Sequence, residues 1–203
     1  MSEREPAIAL FEFGSISAGI VAGDAMVKAA PLGAIYAGTV HPGKYLVLVS
    51  GDTASVDEAV KVGNEVGLES VTDLVFLADV HPAVVDAVRG NSARAPVGDE
   101  ALGIVETSSV AAVLDAADAG VKAADVVLAA IRLADGLGGK GYVLFSGVLA
   151  EVEAAVEAAV DRADAHRTLI RSDLIAQLHG EMADNLRRDL HFLKRVSFAA
   201  GVD

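Results

Sequence analysis

The chain has 203 residues, 53% of them hydrophobic but only 4% aromatic, with neither tryptophan nor cysteine. Without cysteine there can be no disulfide, thiol nucleophile or all-cysteine iron–sulfur ligation. A formal charge of −13 repels phosphate backbones and sets the chain against nucleic-acid binding.

Residues 1–6, MSEREP, are charged and lack the apolar stretch of a signal peptide, so they read as an N-terminal tail. Residues 7–13, AIALFEF, predict a strand, and Ser15 or Ser17 can cap a helix reaching Ala30. GAIYAGTV (33–40) and YLVLVS (45–50) are short β-branched runs joined by the loop His41–Lys44, the pattern of a hairpin. A second helix follows, with Ser55 and Glu58 at capping-box spacing and Val56, Ala59, Val60 and Gly63 on one stripe. TDLVFLA (72–78) then predicts a strand, and PAVVDAV (82–88) a short helix.

The next elements repeat the first set. ALFEFGSISAGIVAGDAMVKAA (9–30) aligns without gaps to GIVETSSVAAVLDAADAGVKAA (103–124), and GKYLVLVSG (43–51) matches GKGYVLFSG (139–147). Two ordered matches at nearly constant offset indicate a tandem duplication. The second copy therefore predicts a strand at 101–107, a helix at 109–124, strands at 126–133 and 142–147, a helix at 149–163 and a strand at 167–171. The order β-α-β-β-α-β predicts an α+β fold: two tandem ferredoxin-like split βαβ domains, each an antiparallel sheet with two helices on one face. The domains span 7–90 and 101–179, joined by a polar Pro- and Gly-containing linker at 91–100. Residues 180–203 form a C-terminal extension, in which Met182, Leu186, Leu190, Leu193 and Val196 recur at helical spacing. The most apolar tract, around residues 110–139, is broken by Asp115, Asp118, Lys122, Asp125 and Arg132, which argues against a membrane span.

GTVHPGKY (38–45) falls one residue short of a phosphate loop, with Tyr45 where a magnesium-binding hydroxyl is required. A strand follows it, so no helix N-terminus is available to hold phosphates. The corresponding loop LADGLGGKGY loses the spacing altogether and is likewise followed by a strand. His81, His166, His179 and His191 show no metal-ligand spacing, and no nucleophile–base set or carboxylate pair stands out, so neither a catalytic residue nor a cofactor is expected. The recurrence of Glu12 and Glu106 follows from duplication alone.

GIVETSSVAAVLDAADAGVKAADVVL, followed by a glycine-rich tip and GKGYVLFSG, resembles the bacterial microcompartment (BMC) domain family; residues 9–79 follow the same plan more loosely. The resemblance is to the tandem, non-permuted members and covers roughly residues 7–179. It implies a structural shell protein: a pseudohexameric homotrimer that tiles with hexameric and pentameric shell proteins around encapsulated enzymes in the cytoplasm. A central pore for small metabolites would be lined by His41, Pro42, Gly43 and Lys44 of one loop and Gly136, Leu137, Gly138 and Gly139 of the other. Lys28 and Lys122 would lie at the tile edge; each also has an acid four residues earlier, Asp24 and Asp118, with which it can form an ordinary helix pair. Lys44 and Lys140 would either give the pore a positive rim or lean into subunit contacts. A relative that binds an iron–sulfur cluster carries a cysteine where His41 stands; no metal is expected here. The alternative function is a trimeric regulatory or sensor module that binds a small ligand in interdomain clefts.

Overall fold

The computed structural model describes residues 7–89, 99–134 and 136–187. The first domain runs β1 (Ala7–Phe13), α1 (Ile16–Ala29), β2 (Ala34–Val40), β3 (Lys44–Gly51), α2 (Thr53–Gly67), a single 3₁₀ turn (Leu68–Ser70), β4 (Val71–Leu77) and α3 (Pro82–Val88). The second runs β5 (Ala101–Thr107), α4 (Val110–Ala123), β6 (Val127–Leu133), β7 (Gly141–Gly147), α5 (Leu149–Ala165), β8 (Leu169–Ile175) and α6 (Gly180–Leu186). The two sheets have the orders β2-β3-β1-β4 and β6-β7-β5-β8, with every pair antiparallel. This is the split βαβ topology, made twice.

Strand β1 is buried on both faces. Its odd residues, Ala7, Ala9, Phe11 and Phe13, enter a core with Met26 of α1, Val47 and Val49 of β3 and Val56 and Ala59 of α2. Phe11 and Phe13 stack at 5.6 Å and supply the bulk that the alanines lack. The even residues Ile8 and Leu10 belong to a different core, shared between domains. There Val75, Leu77, Val84 and Ala87 meet Val110, Val113 and Leu114 of α4 together with Val143 and Phe145 of β7. The two modules are therefore welded by one continuous apolar core. Helix α4 runs through its middle, and eleven of its fourteen residues are buried.

Three local expectations are corrected. Helix α2 is capped by Asp52, whose Oδ1 accepts from the amides of Ala54 and Ser55, while the Ser55 hydroxyl donates to Oδ2. A carboxylate three residues upstream is a stronger acceptor than the Ser55 hydroxyl and starts the helix earlier. Strand β8 occupies Leu169–Ile175 rather than 167–171, because pairing with β5 carries Asp173 and Leu174 into the ladder. In α6 the buried residue is Ala183, with Leu186 packed against the same core, whereas Met182 is exposed. The remainder of the expected C-terminal stripe, and linker residues 91–98, lie outside the described residues. Among the described residues no helix is long and apolar enough to cross a membrane.

Candidate functional site

The hairpin β2–β3 turns at His41–Gly43, closed by the Gly43 amide donating to the Val40 carbonyl at 2.9 Å. Its counterpart β6–β7 is closed by the Ala134 amide donating to the Lys140 carbonyl and the Leu137 amide donating to the Ala134 carbonyl, both at 2.9 Å. Gly43, Gly136, Gly138 and Gly139 all adopt positive φ, a conformation that glycine takes without steric cost. The two tips touch. A side chain at Gly139 would place its Cβ 2.8 Å from Pro42 Cδ and 3.2 Å from the His41 carbonyl oxygen. Glycine there is what allows the two loops to meet. The near-match to a phosphate loop is thus a hairpin tip running directly into β3.

Behind the tips lies a carboxylate that duplication had seemed to explain away. Glu12 is fully buried. Its Oε2 accepts from Lys44 Nζ at 2.8 Å, and its Oε1 accepts from the backbone amides of Val110 and Ala111, the latter at 2.8 Å. An acid of the first domain thereby satisfies the first-turn amides of the second domain's α4, where the helix dipole favours negative charge. Ser109 completes the cap: its oxygen accepts from the Ala112 amide at 3.0 Å, while its hydroxyl donates to Asp73 of β4. Among the described residues the counterpart Glu106 meets only Lys140, at 2.8 Å, and its side chain is 34% exposed. Both loop lysines therefore lean inward onto glutamates, and neither leaves an unpaired charge on the rim.

The seam between the domains carries a second polar cluster. His166, at the end of α5, faces Asp73 of β4 through Nδ1 at 2.9 Å and Asp115 of α4 through Nε2 at 3.1 Å. Arg162 holds the same Asp115, with Nη2 at 2.9 Å and Nε at 3.0 Å. Burial opposes the charge on His166, but hydrogen bonds and attraction from Asp73, then Asp115, outweigh it and raise the imidazole above the ordinary histidine range. With a carboxylate at each ring nitrogen, the geometry fits the doubly protonated imidazolium.

The helix-end lysines both form the expected pairs, Lys28–Asp24 and Lys122–Asp118, each at 2.5 Å. They differ in setting. Lys28 and Asp24 are exposed, whereas Asp118 is buried, accepting from the His81 amide at 2.8 Å, and Lys122 also donates to the Asp79 carbonyl. His81 and His179 cap α3 and α6 through Nδ1, accepting from the amides of Ala83 and Glu181. That structural duty accounts for both. His41 is exposed at the first tip, and among the described residues no group of three or more potential ligands is positioned for a metal. The chain's sequence held one signal for the buried site: an acid inside the apolar strand AIALFEF, repeated in the second copy with a loop lysine beside each. Nothing in it pointed to Asp73, Asp115, Arg162 and His166 meeting, because they come from three elements far apart in the chain, β4, α4 and α5.

A family model described as the BMC domain matches residues 7–84 and again 101–178. The chain belongs to the BMC-domain family. Both BMC domains supply one hairpin tip and one strand glutamate to the arrangement above. The chain is 37% identical over 177 residues to the bacterial microcompartment shell protein PduT of Citrobacter freundii, an alignment covering 87% of this chain and 95% of the relative. The crystal structure of a microcompartment protein of Desulfitobacterium hafniense superimposes with a TM-score of 0.77 at 38% identity, covering 89% of this chain and 99% of that one. The fused permuted hexameric shell protein MSM0275 of the RMM microcompartment shares the fold, with a TM-score of 0.56 at 21% identity, over 79% of this chain and 85% of its own.

Proposed function

We propose that this protein is a structural tile of a bacterial microcompartment shell in the cytoplasm. Three copies form a pseudohexagonal ring whose centre is a pore for small metabolites. The observation that carries this reading is the meeting of the two hairpin tips, at His41–Pro42 and Gly139. Two equivalent loops from successive domains are already side by side, so a ring that continues the same relation brings six tips to one axis. His41, Pro42, Gly43 and Lys44 alternate with Gly136, Leu137, Gly138 and Gly139 around the opening. With Lys44 and Lys140 engaged by Glu12 and Glu106, the wall is mainly backbone amides, carbonyls and the His41 ring. Such a wall passes small polar molecules by size and hydrogen bonding rather than by strong charge selection.

Lys28 and Lys122 stand at the rim that meets neighbouring tiles, Lys28 paired with the exposed Asp24 and Lys122 anchored by Asp118, which is itself buried. The Lys122 side chain remains 42% exposed even while paired. Other shell proteins are the partners at that edge, with enzymes as cargo behind it; the chain itself is assigned no catalysis. The named shell relatives above support the same reading. Negative-stain electron microscopy of the overproduced protein tests it. Extended sheets, tubes or closed shells are the expected result, with Lys28→Ala and Lys122→Ala reducing them to separate rings. Single rings or monomers at every concentration, with no higher assembly, would overturn the tile.

A further inference from the structure

The two copies of the fold differ on the sheet face turned away from the long helices. In the second domain that face is closed. Leu102 of β5, Ala129 and Ala130 of β6 and Leu144 of β7 are buried with Leu178 and with Ala183 of α6, and Leu186 packs against them. In the first domain the equivalent residues leave a cavity. Ile8, Leu48 and Ser50 line it from the sheet, and Val85, Val88 and Arg89 line it from α3 and its end. Tyr36 of β2, also in the lining, stands opposite Leu48 as Ala130 stands opposite Leu144. Tyr36 is 62% exposed against 5% for Ala130, and Leu48, Val85 and Val88 are only half-buried. The space is about 370 Å³, within the ~300–1,000 Å³ of small-molecule sites.

The charge in the lining differs between the copies as well. Arg187, at the same place after α6, is held in an ion pair by Asp184. Arg89 has Asp86 at the same spacing, yet among the described residues it forms no ion pair. A cation without a counter-ion thus borders an apolar cavity, in a chain whose net charge is −13. We propose that this cavity binds a small carboxylate with an apolar body, the carboxylate on Arg89 and the body between the sheet and α3. The planar fork of a guanidinium matches a carboxylate in a bidentate pair. One arginine balances one negative charge, whereas a phosphate dianion would be left under-compensated in so acidic a chain. Burial of the ligand's body against Ile8, Leu48, Val85 and Val88 supplies the remaining stabilisation. The site belongs to the first domain alone and lies apart from both hairpin tips, so it goes beyond the tile reading and does not depend on the ring.

Isothermal titration calorimetry of the purified protein with sodium octanoate tests the site. A saturable heat at one octanoate per chain is expected, with none for octylamine, which has the same body and the opposite charge. Arg89→Gln should weaken octanoate binding by at least about tenfold, the loss of one charged hydrogen-bonding partner, and this residue is exposed, so the fold should survive its replacement. Val85→Phe, which fills the apolar part, should abolish binding. The chain has no tryptophan, so Tyr36→Trp places the sole indole in the lining, and its emission should shift to the blue and saturate as octanoate is added. Absence of a saturable heat with octanoate, equal affinity for octylamine, or an unchanged octanoate isotherm in Arg89→Gln would each overturn the site. Electron microscopy judges the tile separately, and either reading can fail while the other stands.

Discussion

A single buried carboxylate, Glu12, connects the pore loop, the strand and the neighbouring domain's helix. It faces Lys44 on one oxygen and two α4 amides on the other, so its loss strands three donors at once. Glu12→Ala is expected to destabilise the chain by about 2–4 kcal/mol, slightly below the usual cost of breaking a buried pair because Lys44 keeps some contact with water; urea unfolding measures it. His166 supports a pH prediction. The groups that face it are Asp73 of β4 and Asp115 of α4, the latter also held by Arg162 of α5. Its folded-state value is raised, since the two carboxylates outweigh the opposing effect of burial. A raised value means that folding binds a proton more tightly than the unfolded chain does. The stabilisation is therefore complete below the ordinary histidine value and disappears as pH rises through the folded one. The thermal midpoint should fall across that window in the native protein and stay flatter in His166→Gln. Equal slopes for the two proteins would show that the clamp contributes nothing.

At the scale of elements, the close approach of helix α4 to α5 and the sheet depends on a missing side chain. A Cβ at Gly120 would lie 2.4 Å from Phe145 Cζ and 3.0 Å from the Ala155 carbonyl oxygen. The first obstacle is a packed ring and the second is backbone, so neither yields easily. Gly120→Ala should cost about 1–3 kcal/mol from overpacking, against about 1 kcal/mol recovered in helix propensity. Gly63 meets first the flexible end of Met26, so Gly63→Ala should lose less; chemical unfolding of the two variants ranks them. The elements themselves were largely legible in the chain, because period-two and helical apolar patterns repeat in both copies and each copy supports the other. Strand β5 falls on the residues its pattern indicates, 101–107. The misses have specific causes. Arg171 and Asp173 interrupt the alternation of β8, and only pairing with β5 shows where that strand ends. The α2 start was hidden because a serine–glutamate pair at capping distance lies three residues inside the true cap, Asp52. The tips and the lysine–acid pairs were readable as local motifs, whereas the His166 cluster exists only once α4, α5 and β4 are packed together.

For the whole molecule, two corresponding helices, identical at seven of fourteen positions, have opposite fates, and that difference gives assembly and folding separate readouts. Leu114 of α4 is fully buried under the first domain, and its repeat counterpart Ile20 of α1 is 52% exposed in the single chain. Truncating Leu114 to alanine opens a cavity in the shared core and should cost about 2–5 kcal/mol of chain stability. Truncating Ile20 removes the same chemistry from a surface that is exposed in the single chain and that the proposed ring would cover, so unfolding of the separated chain should change by less than about 0.5 kcal/mol. Its effect should appear instead in association, where each ring has three such seams and loses the contact at all of them. Sedimentation velocity across a dilution series reads the ring-to-chain transition, and circular dichroism of the dissociated protein reads the fold. Ile20→Ala is expected to move the first and leave the second unchanged, with Leu114→Ala lowering the unfolding midpoint before any loss of assembly is seen. If Ile20→Ala instead left the dilution profile identical to that of the native protein, α1 would not be the face on which the next copy sits, and the ring would have to close through a surface unrelated to the internal seam.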